Sequence, residues 1–233
     1  MTVSRSSGGN VKGYNLGAWL PAAIIAAVMT SGTAQAQGFG QLSTAHAMDR
    51  RTADVGGFFG VFENSKVVFG QYRRGLFEQG DGGIQFGIID PDGGSAGIAI
   101  GADLKFTLMT TRQSDPFDLA IDARTAFFNL DQFTLLQFGG SVVVSRDYPL
   151  TGNRAITPYG AVNLRVDGAS YDNHVERMGY MARAQATNGG TDTNFNIGAV
   201  GGVKWDASEL LDIFGEAILD DQLGVILGVN FKI

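Results

Sequence analysis

From Leu223 to Ile233 every second residue is apolar: Leu223, Val225, Leu227, Val229, Phe231 and Ile233 alternate with Gly224, Ile226, Gly228, Asn230 and Lys232. A strand sends successive side chains to opposite faces, so this segment has one wholly apolar face and one that is mostly small or polar. The split recurs upstream. Ile98, Ile100, Ala102, Leu104, Phe106 and Leu108 oppose Ala99, Gly101, Asp103, Lys105 and Thr107, and Leu119, Ile121, Ala123 and Phe127 oppose Asp122 and Arg124. Leu136, Phe138, Val142 and Val144 oppose Gln137, Ser141 and Ser145; Val162, Leu164 and Val166 oppose Asn163 and Arg165. Phe195, Ile197, Val203 and Trp205 face away from Asn196, Gly198 and Lys204. Leu211, Ile213 and Ala217 oppose Asp212 and Glu216, with Phe214 and Ile218 on the polar side.

Turn clusters cut the chain from Gly56 onward into strand-length pieces at 56–62, 66–73, 82–89, 96–108, 118–128, 133–146, 156–166, 194–205, 211–219 and 223–232. Strands of about nine to eleven residues match a tilted crossing of the hydrocarbon layer. The polar faces are built largely of Gly, Ala, Ser, Asn and Thr, with one or two charges per strand, whereas a water-facing sheet carries many charges. The pattern predicts an all-β fold, an antiparallel up-and-down transmembrane β-barrel of ten strands that is apolar outside and polar inside. An eight-stranded alternative drops the first pair, where Gly56-Gly57-Phe58-Phe59 and Val67-Val68-Phe69 alternate poorly. A secreted soluble barrel or sandwich is the competing account, because soluble antiparallel sheets also alternate.

Ahead of the strands, Arg5 and Lys12 precede an apolar run from Leu16 to Met29, followed by Ala34-Gln35-Ala36. A basic start, a short apolar run and a small-x-small site are the features of a cleaved export signal. The expected organisation is therefore a signal peptide over 1–36, with Gln37 as the mature N-terminus, a periplasmic lead-in over 37–54 and the barrel over 55–233. The lead-in is polar and helix-compatible from Ser43 to Thr52.

Composition narrows the function. Residues 1–36 hold two basic and no acidic residues, so the remainder has 15 Lys and Arg against 23 Asp and Glu, a formal charge of −8. That balance argues against nucleic acid, whose phosphates demand clustered basic side chains. There is no cysteine, hence no disulfide framework and no thiol chemistry. Gly reaches 34 residues, where average usage of about 7% would give roughly 16.

The strand faces place nine charges in the lumen: Asp103, Lys105, Asp122, Arg124, Arg165, Lys204, Asp212, Glu216 and Lys232. A barrel of this size is just wide enough for side chains to fill, and buried charges must pair. These nine are expected to form a balanced network that plugs and stiffens the lumen. The alternative is a narrow pore lined by both signs, for which inward glycines would leave room. No catalytic, cofactor or metal site is expected. His174, with Ser170 and Glu176 nearby in sequence, permits a rim hydrolase to be written down, but a histidine in a polar loop is ordinarily solvated. Asp90-Pro91-Asp92-Gly93-Gly94 lacks the later bidentate Glu of a calcium loop and reads as a turn. With Asp131, Asp167, Asp172, Asp192, Asp220 and Asp221 it would form an acidic external rim, either plainly solvated or bridged by divalent cations to lipopolysaccharide phosphates. Phe127, Phe128 and Phe133 at one rim, and Trp205, Phe117, Tyr148 and Phe231 at the other, suit two aromatic girdles.

The last 40 residues carry a resemblance. The Gly198-Ala199-Val200-Gly201-Gly202-Val203-Lys204-Trp205 strand, the Asp206-Ala207-Ser208-Glu209-Leu210 turn, Leu211 to Ala217 with Glu216, and Leu223 to Phe231 resemble the C-terminal half of small bacterial outer-membrane barrels of the porin-like, outer-membrane-protein-A type. Thr157-Pro158-Tyr159-Gly160-Ala161 is a weaker match to an upstream strand start. Such barrels commonly end in an aromatic residue, whereas here Phe231 is followed by Lys232 and Ile233. The resemblance implies an outer-membrane location, with membrane lipid, lipopolysaccharide and the barrel-assembly machinery as partners. The resulting expectation is a non-enzymatic barrel with a structural, adhesive or envelope-integrity role; a passive channel for small solutes is the runner-up and a lipid-modifying hydrolase a remote third.

Overall fold

The computed structural model describes residues 39–113, 115–130, 133–152, 154–171, 191–220 and 222–233. The signal-peptide reading of 1–36 therefore lies outside the described residues, as do His174 and Glu176. Eleven strands follow one another: β1 (Ala53–Phe62), β2 (Ser65–Phe77), β3 (Gly80–Pro91), β4 (Gly97–Met109), β5 (Asp118–Leu130), β6 (Phe133–Ser145), β7 (Tyr148–Leu150), β8 (Arg154–Tyr171), β9 (Thr191–Asp206), β10 (Leu211–Leu219) and β11 (Leu223–Lys232). Each pairs antiparallel with the next, except that β6 pairs with β8 and the three-residue β7 only edges the start of β8. The seam between β1 and β11, from Asp54↔Lys232 to Phe62↔Gly224, closes the sheet into a ten-stranded up-and-down barrel.

All ten expected strands are present. The eight-stranded alternative falls, because β1 forms the closing seam. β8 and β9 run further than expected, to Tyr171 and from Thr191, so Asp167 lies in the wall rather than in an external loop. Asp90 and Pro91 end β3, and Asp92 to Ala96 connect it to β4, with Gly93 at a φ of 80°.

The outer surface is a belt of exposed apolar side chains. Leu104, Val142, Leu164 and Val225 all point outward, each about half exposed. Trp205, Tyr148 and Phe231 stand outward near the end that holds β1's start and the C-terminus, where the Phe77 and Phe106 rings stack at 6.1 Å. Phe128 does not join a girdle: it is 1% exposed and turned into the lumen.

The interior differs from the expected polar lining. Phe58, Phe62, Phe69, Phe128, Phe214, Ile218 and Ile226 all face inward and are buried, forming an apolar core inside the barrel. This explains the poor alternation of the first strands, which are apolar on both faces. The inward glycines do not leave space. A Cβ on Gly228 would stand 2.1 Å from the Phe58 ring, and one on Gly224 would stand 2.4 Å from Phe62. Each missing side chain is a socket for an aromatic knob, so the lumen is packed at these positions rather than open.

Candidate functional site: a lumen occupied by the N-terminal segment

The segment expected as a periplasmic lead-in runs through the lumen. Phe39 lies against Phe69 and Phe128, at ring-centroid distances of 5.0 and 5.6 Å, and from there the chain descends between the walls to the mouth at Asp49. There it crosses Gly75, where a Cβ would lie 2.1 Å from the Asp49 carbonyl, turns through Arg51 at a φ of 73°, and rises as β1. The physical reason is donor and acceptor matching. Apart from a single parallel bridge between Arg50 and Gly75, the described part of the segment has no strand partner, so its backbone groups need others, and the charged wall supplies them.

The carboxylate of Glu216 on β10 accepts from the Gln41 and Leu42 amides at 2.7 and 2.8 Å, and from the Tyr159 hydroxyl at 2.8 Å. Leu42 sits at a φ of 43°. A left-handed residue turns two successive N–H groups toward one anion, a concavity built for a carboxylate. Gly40 leaves room beside it, because a Cβ there would meet Glu216 Oε1 at 2.1 Å and push the carboxylate aside. Further down, the Ala45 amide donates to Ser145 Oγ at 3.0 Å, and the Ala47 amide donates to Thr107 Oγ1 at 2.9 Å. Thr107 in turn donates to the Ala45 carbonyl at 2.7 Å. Lys105 Nζ donates to the carbonyls of Thr44 and His46 at 2.7 and 3.1 Å. The Met48 amide ends on Asp81 at 2.9 Å.

All nine expected luminal charges face inward, but they do not form one network. On β2 to β4, Arg73 bridges Asp81 and Asp103, and Lys105 lies 3.2 Å from Asp81. The register explains the reach: Arg73 faces Gly83, which faces Asp103, and the glycine leaves the guanidinium room to cross a strand. On β5, Arg124 pairs with Asp122 at 3.0 Å and donates to the Gln41 side chain. At the opposite end, Arg165 holds Asp167 at 2.8 Å and also Asp220, while Asn196 donates to Asp167 at 2.6 Å. Near the C-terminus, Lys204 pairs with Asp206 at 2.9 Å and Lys232 with Asp212 at 2.8 Å. Glu216 differs: its partners are two amides and a phenol, none of them a cation.

Five charged partners escaped the sequence reading. Arg73 lies on β2, whose alternation is masked by the inner aromatic core, and Asp81 lies just ahead of the expected strand at 82–89. Asp167 and Asp220 were assigned to an acidic external rim, yet both side chains are buried against Arg165. Asp206 opens a turn. Asp131, Asp172 and Asp221 lie outside the described residues, and the Asp192 side chain is likewise undescribed. A cavity of about 30 Å³ remains beside Phe39, Gln41 and Arg124, room for on the order of two waters.

The fold and the lumen together define a closed ten-stranded antiparallel barrel filled by aromatic residues, paired charges and its own N-terminal segment. The chain is similar in fold to the N-terminal β-barrel domain of Pseudomonas aeruginosa OprF, at 10% identity and a TM-score of 0.38, covering 80% of this chain and 100% of that one. It is also similar to KdgM porin, at 6% identity and 0.37, covering 76% and 98%. A third is Ail, the attachment invasion locus protein of Yersinia pestis, at 9% and 0.31, covering 80% and 100%. No family model matches the chain, and no curated protein matches it.

Proposed function

We propose that this protein is an integral outer-membrane barrel with a structural, envelope-integrity role, sealed rather than conducting. The observation that carries the reading is the occupied lumen: residues 39–48 lie between the walls with their backbone groups bonded to Glu216, Lys105, Thr107 and Ser145. The apolar outer belt supports lipid as the surrounding solvent, since a water-facing surface would not expose so much contiguous apolar area. In this reading residues 1–36 are removed on export, the end holding Ala53 and Ile233 faces the periplasm, and the β8–β9 hairpin reaches toward lipopolysaccharide. Assembly falls to the barrel-assembly machinery. No reaction is assigned.

The test combines location and conductance. The protein should fractionate with the outer membrane, resist carbonate extraction and migrate on a denaturing gel according to whether it has been heated. Reconstituted in a planar bilayer, it should show little or rare conductance. Recovery as a soluble periplasmic protein would end the membrane reading. Stable, ion-selective openings would replace the seal by the narrow passive channel.

A further inference from the structure

Residues 39–48 contain no Asp, Glu, Lys or Arg, and the wall meets them mainly through their backbone. The Gln41 and Leu42 amides end on Glu216, the Ala45 amide ends on Ser145, and the Thr44 carbonyl takes Lys105. The side-chain contacts gather at the head of the segment: Phe39 packs on Phe69 and Phe128, and the Gln41 carboxamide accepts from Ser141 at 3.0 Å and from Arg124.

The wall is paired without the segment. Asp81 keeps Arg73 and Lys105, Arg124 keeps Asp122, and Glu216 keeps the Tyr159 hydroxyl. Withdrawing the segment would therefore break no ion pair; it would give up hydrogen bonds that water can replace and the burial of Phe39, Leu42 and Ala45, which a peptide of the same class would restore. Its covalent tether is the exposed turn at 49–52. The ion pair there, Asp49 with Arg112 at 3.2 Å, is between side chains that are 72% and 64% exposed. Exposed pairs of this kind hold little.

We propose that the lumen is a binding site for an extended, uncharged polypeptide read through its main chain, and that residues 39–48 are its resident, exchangeable occupant. The ligand class follows from the contacts. It is a neutral peptide headed by an aromatic residue, a glycine and a carboxamide, with small residues behind them. Glycine fits the second position without disturbing the carboxylate, because a Cβ at Gly40 would displace the end of the Glu216 side chain. This goes beyond the sealing role and does not depend on which membrane holds the barrel.

The experiment uses the full chain with a site-specific protease sequence inserted between Arg50 and Arg51, folded in detergent and then cut at the mouth. A fluorescent, acetylated peptide of residues 39–50 is added. Saturable uptake is expected, displaced by unlabelled peptide. N-methylation at Leu42 and Ala45, which removes two of the amides that the wall reads, should weaken binding at least tenfold. A peptide with Ser43 and Thr44 exchanged, Ala45 and Ala47 kept in their buried places, should bind within a few-fold of the parent. Absence of exchange at temperatures where the barrel stays folded, or equal binding of the N-methylated peptide, would overturn the proposal. Should the insertion prevent folding, hydrogen exchange on the uninserted protein decides. Amides of 39–48 exchanging well ahead of those in β2 to β4 support it; exchange only together with the wall refutes it.

Discussion

The Glu216 carboxylate lies 2.8 Å from the Leu42 amide, 174 positions away in sequence, and this contact fastens the segment at 39–48 to β10, the strand next to β11. A buried carboxylate normally finds a cation. Here two amides set by the left-handed turn at Leu42 take its oxygens, and Tyr159 adds a third donor. The charge is thus solvated by the segment itself, so a change at this acid should be felt in how the segment is seated.

Glu216→Ala should therefore loosen the segment rather than strand a cation. Hydrogen bonds to charged groups contribute about 1.5–3 kcal/mol each, so the barrel should unfold at a lower temperature in a heated-gel assay. Glu216→Gln keeps the volume and one acceptor and should lose less. Equal losses for both would show that the charge is not what the amides recognise.

Gly40→Ala tests the same contact from the other side. The new methyl would meet Glu216 and also crowd Ile226 at 3.0 Å. The expected outcome is a folded barrel whose segment 39–50 is cut by an added protease under conditions where the parent is protected. Undiminished protection would mean that the wall yields to the methyl.

Much of this architecture was legible because lipid enforces a strict outer face. Leu104, Val142 and Val225 can be assigned from alternation alone, and with them β4, β6 and β11. The lumen was less legible, because two fillings compete there. Phe58 and Phe69 blur the alternation of β1 and of β2, which carries Arg73, and the partner Asp81 lies one residue ahead of the expected strand at 82–89. The threading of 39–48 left almost no mark in the sequence. It has no strand period, and its recognition runs through amides and carbonyls that every residue carries. Gly40 and Gly75 are the visible traces, and their meaning rests on neighbours that only the closed barrel brings near.

The pH response should come from His46. Burial, and then the nearby Arg112, hold its imidazole below the ordinary value of 6.5, against the opposing pull of Asp118 and Asp147. As pH falls below about 6.5 the released segment takes up a proton before the seated one, so seating is favoured as pH rises and lost on acidification. Protease protection of residues 39–50 should fall as the pH drops below about 6.5, and His46→Asn should flatten that response. A wild-type profile already flat across the window would remove His46 from the account.

The outer belt predicts a depth-dependent penalty. Leu104 is 46% exposed on a face with no polar partner, next to the fully buried Lys105. Leu104→Arg should cost about 2–4 kcal/mol if that position lies near the bilayer midplane. Measured in urea with lipid vesicles, a change near zero would place this face in water.

Arg73→Ala should be the most damaging luminal change, and its pattern separates a paired wall from a hydrated one. The guanidinium is 4% exposed and serves two carboxylates, Asp81 and Asp103, themselves 0% and 7% exposed. After truncation Asp81 still has Lys105 at 3.2 Å, whereas Asp103 keeps the Gln85 carboxamide at 2.7 Å and no equally close cation of its own. Removing one member of a buried pair costs about 3–5 kcal/mol because the other charge is left uncompensated. The neutralising double variant, Arg73→Ala with Asp103→Asn, should recover a large part of that loss, since the residual acid is already satisfied by Lys105. Thermal unfolding of the parent, both single variants and the double variant would measure this. Independent, additive losses would mean that water reaches these groups and that the lower lumen is wet, whereas strong recovery in the double variant is the mark of a dry, self-paired wall around the segment.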